Sequence, residues 1–160
     1  MKMLILIRAI IYAALFTGLV LIYLPARLLS WSGIVRPASI EVQQVAGMVI
    51  GTAGAVIALW CIFAFASSGR GTPAPFDPPR RLVIQGPYRF LRNPMYLGAG
   101  LTLAGAALFY GSWALLVYTG FFFFAAHLFV VWYEEPTLRR AFGKEYAAYC
   151  SRVKRWWPSV

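Results

Sequence analysis

Four long apolar segments separate the charged residues of this 160-residue chain, and they limit its possible folds more than any other feature. A helix needs about 20 mostly apolar residues to cross the roughly 30 Å hydrocarbon core of a bilayer. Met3–Leu24, Val42–Ala66 and Trp113–Tyr133 are long enough, whereas Met95–Tyr110 is shorter. Because apolar residues make up 61% of the chain and charged residues 12%, a water-soluble fold could not bury this surface. Lipid is therefore the expected solvent.

Prolines, glycines and other small residues predict where these helices end and touch. Pro25 is expected to end the first helix, because proline lacks the amide donor of a helix interior. Gly111-Ser112 predicts the turn of a helical hairpin formed by the third and fourth segments. Small residues at four-residue spacing predict close helix packing. They are Gly47, Gly51 and Ala55 in the second segment and Gly98, Thr102 and Ala106 in the third.

Two polar regions flank the hairpin. The loop 67–94 contains six prolines, which exclude a continuous helix. After Glu134-Glu135-Pro136, apolar residues at helical spacing predict a C-terminal amphipathic helix at the membrane interface. These residues are Leu138, Phe142, Tyr146, Tyr149 and Val153. Trp156 and Trp157 are expected to anchor the end of this helix at head-group level.

Basic residues predict the orientation in the membrane. The loop 67–94 has five arginines and the chain after Tyr133 has six basic residues, whereas Arg27 and Arg36 alone lie between the first two spans. The positive-inside rule then places both termini and the polar regions in the cytoplasm. The net charge of +10 is interpreted as topogenic and as contact with membrane lipid, not as nucleic-acid binding, because the basic residues adjoin hydrophobic spans.

The predicted fold class is therefore all-α. We expect a polytopic membrane helix bundle with about four transmembrane helices, including the hairpin, and an interfacial helix. Residues 1–160 form a single membrane domain, with two N-terminal spans in 1–66 and the loop, hairpin and last helix in 67–160. Cys61 lies in a hydrophobic span and Cys150 in a basic tail, so neither a disulfide nor a metal site is expected.

The arms of a hairpin run antiparallel, so its two polar flanks should meet in space. One flank is Gly86–Gly98, and the other is Tyr133–Pro136 with the helix that follows. A pair of carboxylates at a membrane boundary is costly unless it is hydrated, paired or used. Glu134 and Glu135 are thus candidates for function, although they could also simply begin the last helix, where negative charge is favoured.

The motifs in these flanks resemble those of a known group. The runs G-P-Y-R-F-L-R-N-P-M-Y-L-G (86–98), E-E-P-x-L (134–138) and F-G-K-E-Y-A-A-Y-C (142–150) are similar to the integral-membrane methyltransferases. That group comprises isoprenylcysteine carboxyl methyltransferases and phospholipid N-methyltransferases. The resemblance covers about Gly69–Pro158 and points to a bacterial member in the cell inner membrane. It implies S-adenosylmethionine as methyl donor, bound at the cytoplasmic end of the bundle.

The resemblance also implies roles for individual residues. Asn93 stands where the carboxyl methyltransferases have histidine in an Arg-His-Pro segment, and Gly98-Ala99-Gly100 matches a G-x-G cofactor motif. The implied cofactor-binding residues are Tyr88, Arg92, Asn93, Pro94, Tyr96, Gly98, Gly100, Glu134 and Glu135. Catalytic roles fall on Arg92, Glu134 and Arg155. The candidates for contact with an anionic or apolar acceptor are Arg89, His127, Tyr146, Tyr149 and Arg152.

Several interpretations stay open. The acceptor is expected to be lipid-like or prenylated, most simply an isoprenylcysteine-like carboxylate, with aminophospholipid N-methylation or small-thiol S-methylation as alternatives. A membrane scaffold or small-molecule carrier that keeps the fold is the non-enzymatic alternative. His127, a polar residue in a membrane helix, is either part of the site or one side of a helix-to-helix hydrogen bond. Tyr146 and Tyr149 could be packing residues first and pocket residues second.

Overall fold

The computed structural model describes residues 11, 14–34, 37, 39–65 and 82–158, and every regular element within them is helical. Helix α1 covers Ala14–Trp31, α2 covers Val42–Ala64, α3 covers Pro94–Tyr110 and α4 covers Trp113–Phe129. A 3₁₀ turn, Gly86–Arg89, precedes α3. A π-helical stretch, Val130–Glu134, joins α4 to α5, which is Glu135–Arg152.

Three of these helical stretches are long and apolar enough to cross a membrane. They are α1, α2 and the continuous helix Trp113–Arg152, while α3 is a shorter apolar helix. These elements confirm the all-α polytopic bundle predicted from the sequence. The start of the first span (residues 3–10), Ala66 and the arginines at 70, 80 and 81 lie outside the described residues.

The expectation that Pro25 ends the first helix is wrong. Thr17–Tyr23 is π-helical, and the amide of Leu24 donates to the carbonyl of Leu19, five residues back. In that pattern the carbonyl of Val20 would need the amide of residue 25, which a proline lacks. The hydroxyl of Tyr118 in α4 donates to the Val20 carbonyl instead, at 2.9 Å. The wider turn thus accommodates Pro25 within α1.

A second π-helical stretch carries the chain through Glu134-Glu135-Pro136. Glu134 and Glu135 both have helical dihedral angles, so they do not begin a separate helix. The interpretation that they serve only as a favourable helix start therefore has no basis here. The break comes later, at Gly143, where φ is 45° and ψ is −115°. Glycine suits this position because an L side chain is strained at positive φ.

The closest helix contact joins α2 to α3. A Cβ added to Gly54 would lie 2.5 Å from the carbonyl oxygen of Gly98, and one added to Gly105 would lie 2.4 Å from the amide nitrogen of Gly51. The two backbones therefore touch directly, as small residues permit in membranes. The predicted small faces are confirmed at Gly47, Gly51, Gly98 and Thr102, but Gly54 and Gly105 take the places expected for Ala55 and Ala106.

Helices α3 and α4 form the predicted hairpin. Gly111 adopts the left-handed conformation with φ of 60°. Ser112 caps α4 by accepting a hydrogen bond from the amide of Leu115 at 3.3 Å. A Cβ on Gly100 would lie 2.1 Å from the ring of Phe123, so the third helix packs tightly on the fourth as well. The hairpin returns the chain to the end of the bundle at which α3 begins.

The amphipathic pattern of the C-terminal segment is confirmed as a helix, interrupted at Gly143. Its apolar face is covered by the chain itself, because Tyr146, Tyr149 and Val153 pack with Leu82 and Ile84. The segment before α3 thus lies over α5. This contact fixes the approach of the 3₁₀ turn to the twin glutamates.

Candidate functional site

Polar side chains from three segments converge where α3 begins and α4 passes into α5. We call Arg92, Tyr96, Glu134, Glu135 and Arg155 the polar cluster. Arg92 precedes α3, Tyr96 lies in its first turn, the glutamates lie at the π-helical junction, and Arg155 follows α5. The two flanks of the hairpin therefore meet as the sequence predicts.

Glu135 is the centre of the cluster. Its Oε1 accepts hydrogen bonds from Nη1 of Arg92 at 3.0 Å and from Nε of Arg155 at 2.7 Å. Its Oε2 accepts from Nη2 of Arg155 at 3.0 Å. The Arg155 contact is the bidentate fork that gives guanidinium–carboxylate pairs their geometric specificity. The Glu135 side chain is only 9% exposed, so its charge depends on these two partners.

Glu134 has a different environment. Its Oε2 accepts a hydrogen bond from the hydroxyl of Tyr96 at 3.1 Å. No lysine or arginine in the described ranges forms an ion pair with it. This half-buried carboxylate therefore keeps the capacity to accept from a cationic or hydroxylic ligand.

Arg92 also keeps unused hydrogen-bonding capacity. Its Nη1 contacts Glu135 and donates to Sγ of Cys150 at 3.0 Å. Its Nε is buried without a hydrogen-bond partner. A buried unsatisfied donor is costly and calls for an explanation. The Nε edge of a guanidinium fits a carboxylate or phosphate, and an anionic ligand group would satisfy it.

The chain after α5 is fastened across the cluster. The amide of Arg92 donates to the carbonyl of Lys154 at 3.0 Å, and the Asn93 side chain donates to the carbonyl of Arg155 at 3.3 Å. The indole of Trp156 donates to Nδ1 of His127 in α4 at 3.1 Å. His127 therefore forms a structural hydrogen bond, but its partner lies in the tail and not in another helix as the structural alternative expects.

Three predicted tyrosines lie next to the cluster, and the Tyr146 hydroxyl is within hydrogen-bonding reach of Arg92 and Cys150. Tyr88, Tyr146 and Tyr149 are all buried. The hydroxyl of Tyr149 donates to the Tyr88 carbonyl at 2.7 Å, which fastens the 3₁₀ turn to α5. The Tyr88 ring packs edge-on against Phe65. These contacts place the tyrosines as supports of the turn that carries Arg92.

Within the described ranges, five other predicted residues form no hydrogen bond or ion pair with the side chains of the cluster: Gly98, Gly100, Arg89, Arg152 and Pro94. Gly98 and Gly100 face α2 and α4, so helix packing already accounts for both glycines of the G-x-G motif. Arg89 and Arg152 are exposed, and Arg152 Nε bonds the Ala148 carbonyl of its own helix. Pro94 is buried at the first position of α3, where a proline needs no amide partner.

Burial and hydrogen bonding shift the pKa values of two groups outside the membrane spans, Arg155 and Tyr88. The hydrogen bond to Glu135, together with its charge, raises the pKa of Arg155 above its usual value. Burial raises the pKa of Tyr88 well above its usual value. Both groups therefore keep one protonation state throughout the physiological range. In the described ranges, no group of three or more His, Cys, Asp or Glu side chains is arranged to hold a metal.

Sequence reasoning missed two partners in this region. Trp156, a predicted head-group anchor, donates a hydrogen bond to His127, and nothing in the spacing of the chain indicates that pairing. The sequence places Cys150 in a basic tail and indicates no partner for it, whereas its Sγ accepts a hydrogen bond from Arg92. Its position four residues after Tyr146 on the apolar face of α5 is the signal that could have placed it inward.

The fold and the cluster define a polytopic helical membrane protein with a built polar site at one end of its hairpin. The family model for phospholipid methyltransferases matches residues 42–145, which is more than half of the chain. The protein therefore belongs to the phospholipid methyltransferase family and is a membrane methyltransferase. The match includes Arg92, Tyr96 and both glutamates. No curated protein and no solved structure matches the chain.

Proposed function

We propose that this protein transfers a methyl group from S-adenosylmethionine to a lipid-like amphiphile at the polar cluster. The observation that carries the proposal is a pair of groups there with unused hydrogen-bonding capacity. Arg92 has a buried Nε without an acceptor, and Glu134 has no cationic partner in the described ranges. The α-carboxylate of the donor can accept a hydrogen bond from Arg92, and its α-ammonium or ribose hydroxyls can donate to Glu134.

The residues of the cluster divide into binding and positioning roles. Arg92 and Glu134 hold the donor, and Tyr96 orients the Glu134 carboxylate. Glu135 and Arg155 position Arg92, while Asn93 and Pro94 fix the turn that presents it. Gly98 and Gly100 contribute to a cofactor contact only through their backbone.

When bound, the donor supplies an electrophilic methyl group on a sulfonium. The protein's contribution to such an in-line transfer is alignment of the two reactants and exclusion of water. The ion pairs of Glu135 hold the start of α3 against α5 and the tail, and this rigidity serves alignment. An acceptor carboxylate needs no general base, whereas an acceptor ammonium must first lose a proton, and we assign that proton to the Glu134 carboxylate.

Two acceptor classes fit the cluster. The family match favours a phospholipid amine. The exposed arginines Arg89 and Arg152 lie on the surface of the elements that flank the cluster, and they suit an anionic group, including the carboxylate of an isoprenylcysteine-like molecule. A small thiol is the third alternative. In each case the acceptor reaches the cluster from the bilayer and the donor from the cytoplasm, the side on which the positive-inside rule predicts both termini.

Donor binding tests the site. In calorimetry with S-adenosylmethionine, we expect Glu134→Gln to weaken binding about tenfold, because the acceptor of a charge-assisted hydrogen bond loses its negative charge. Glu145→Gln is the matched control, since Glu145 is exposed on α5, and it should bind as the wild type does. Equal affinity of the two variants would remove Glu134 from the donor site, and no binding by the wild-type protein would favour the scaffold alternative.

Labelled donor identifies the acceptor. The purified protein is incubated with methyl-labelled donor in three separate reactions. Each reaction contains one acceptor: aminophospholipid vesicles, a farnesylated cysteine or a small aliphatic thiol. Label in the phospholipid amine or in a base-labile methyl ester decides between the first two classes. Glu134→Gln should abolish N-methylation while leaving residual ester formation at saturating donor, because only the amine needs a base. Loss of both activities to the same extent would contradict the role of Glu134 as base.

A further inference from the structure

A groove lies between α1 and α4 at the end of the bundle opposite to the polar cluster. It has a volume of about 280 Å³, and its lining consists of Tyr23, Leu24, Arg27, Leu28, Trp31 and Tyr118. Tyr118 and Glu134 share one continuous helix, and their separation of 16 positions corresponds to about 24 Å of rise. The groove is therefore separate from the methyl-transfer site.

The lining of the groove is mainly aromatic and aliphatic, and Arg27 is its one charged residue. Tyr23, Arg27 and Trp31 recur every four residues, so they share one face of α1. The Arg27 guanidinium lies over the Trp31 ring, 5.5 Å from its centroid, a cation–π contact. Arg27 is exposed, and no carboxylate in the described part of the chain forms an ion pair with it.

The first helix makes this groove possible because it packs lightly on its neighbours. Leu19, Ile22 and Tyr23 are more than half exposed. The hydrogen bond from Tyr118 to the Val20 carbonyl fastens α1 to α4 at one point, and the groove opens beside it. In a bilayer such a space is filled by an acyl chain, because neither water nor an unfilled void is favourable there.

We propose that this groove is a binding site for one anionic phospholipid in the leaflet opposite to the polar cluster. The phosphodiester lies against Arg27, and an acyl chain lies along Leu24, Leu28 and the Tyr118 ring. Charge complementarity favours an anionic lipid over a zwitterionic one. The lining has one cation and no acidic side chain to meet a choline or ethanolamine ammonium. The proposal does not depend on methyl transfer.

Native mass spectrometry of the full chain tests this site. Protein in detergent is mixed with dioleoyl phosphatidylglycerol, with dioleoyl phosphatidylcholine or with inorganic phosphate. We expect one tightly retained phosphatidylglycerol, weaker retention of phosphatidylcholine and no effect of phosphate. Arg27→Gln should lower phosphatidylglycerol retention about fivefold. Arg140→Gln, which removes an exposed arginine from α5, should retain it as the wild type does.

A second variant tests the acyl chain separately. Leu28→Trp fills the groove while leaving Arg27 in place, and it should also reduce lipid retention, with the melting temperature of the lipid-free protein unchanged. Equal retention by the wild type, Arg27→Gln and Leu28→Trp would overturn the proposal. Equal retention of the two lipids, or a dimer mass in place of the lipid adduct, would overturn it as well.

Discussion

Helix α3 takes part in two contacts that are held together by opposite means. Along its length, Gly98 and Gly105 bring its backbone directly against α2, with no side chain between them. At its start, Arg92 bridges to Glu135, and Arg155 completes that ion pair from the tail. The first contact depends on glycines, which have no side chain, and the second depends on long charged side chains.

The difference between these contacts bears on how the G-x-G motif is interpreted. A glycine in a membrane helix has two common uses, close approach of a ligand and close approach of another helix. Here the helices occupy the space beside both Gly98 and Gly100. The groups with unused bonding capacity, Arg92 and Glu134, lie before this motif and across from it. The glycines serve helix packing, and under the proposed function the charged residues bind the methyl donor.

The largest effect should come from filling the glycine contact. Gly105→Leu places a side chain where a Cβ alone would lie 2.4 Å from the Gly51 amide nitrogen. We expect a loss of about 3 kcal/mol or more in the free energy of unfolding, because backbone cannot move aside as a flexible side chain can. Thermal unfolding in detergent, followed by near-UV circular dichroism, measures the loss.

Gly120→Leu is the matched control for that substitution. A Cβ on Gly120 meets nothing within 4 Å, and the residue is exposed on α4. Its melting temperature should stay close to that of the wild type. If both variants were equally stable, the backbone contact between α2 and α3 would not be a main support of the bundle.

The next effect concerns the centre of the polar cluster. Glu135→Ala leaves Arg92, whose side chain is 12% exposed, without its carboxylate. We expect a loss of about 2–4 kcal/mol, less than for a fully buried pair because Arg155 is 32% exposed. Glu134→Ala should cost less stability, since it breaks one hydrogen bond with Tyr96. Urea unfolding of both variants in mixed micelles gives the comparison, and a reversed order would contradict these assignments.

The sequence predicts the helices and the meeting of the two flanks, because hydropathy and the antiparallel hairpin decide both. It does not predict how Pro25 and Pro136 are accommodated within helices. A proline normally stops a helix, yet Pro25 and Pro136 each follow a π-helical stretch that lets the helix continue. That outcome depends on tertiary contacts such as the bond from Tyr118 to the Val20 carbonyl.

The pairing within the cluster was also beyond sequence reasoning. Arg92, Glu134, Glu135 and Arg155 were all candidates, but their spacing does not show which glutamate the arginines bind. That choice depends on the path of the chain after α5, which Gly143 redirects. The kink is a local backbone feature that apolar periodicity does not reveal, because the periodicity continues through it.

A smaller effect should follow loss of the fastening between the 3₁₀ turn and α5. Tyr149→Phe removes the hydroxyl that donates to the Tyr88 carbonyl and leaves that carbonyl buried without its partner. We expect a loss of about 1–3 kcal/mol in thermal unfolding. Tyr110→Phe is the control, because the Tyr110 ring packs on Phe109 at the far end of α3. Equal losses in the two variants would mean that the Tyr149 hydroxyl does not hold the turn.

The smallest effect concerns the tail that closes over the cluster. Trp156→Phe keeps an aromatic ring but removes the indole N–H that donates to His127 Nδ1, so we expect a loss of about 1 kcal/mol. Trp157→Phe should cost nothing measurable, since Trp157 is 75% exposed. A double-mutant cycle with His127→Phe then isolates the contact. A coupling energy of about 0.5–1.5 kcal/mol is expected, and strictly additive losses would show that the tail is held by the ion pair of Arg155 alone.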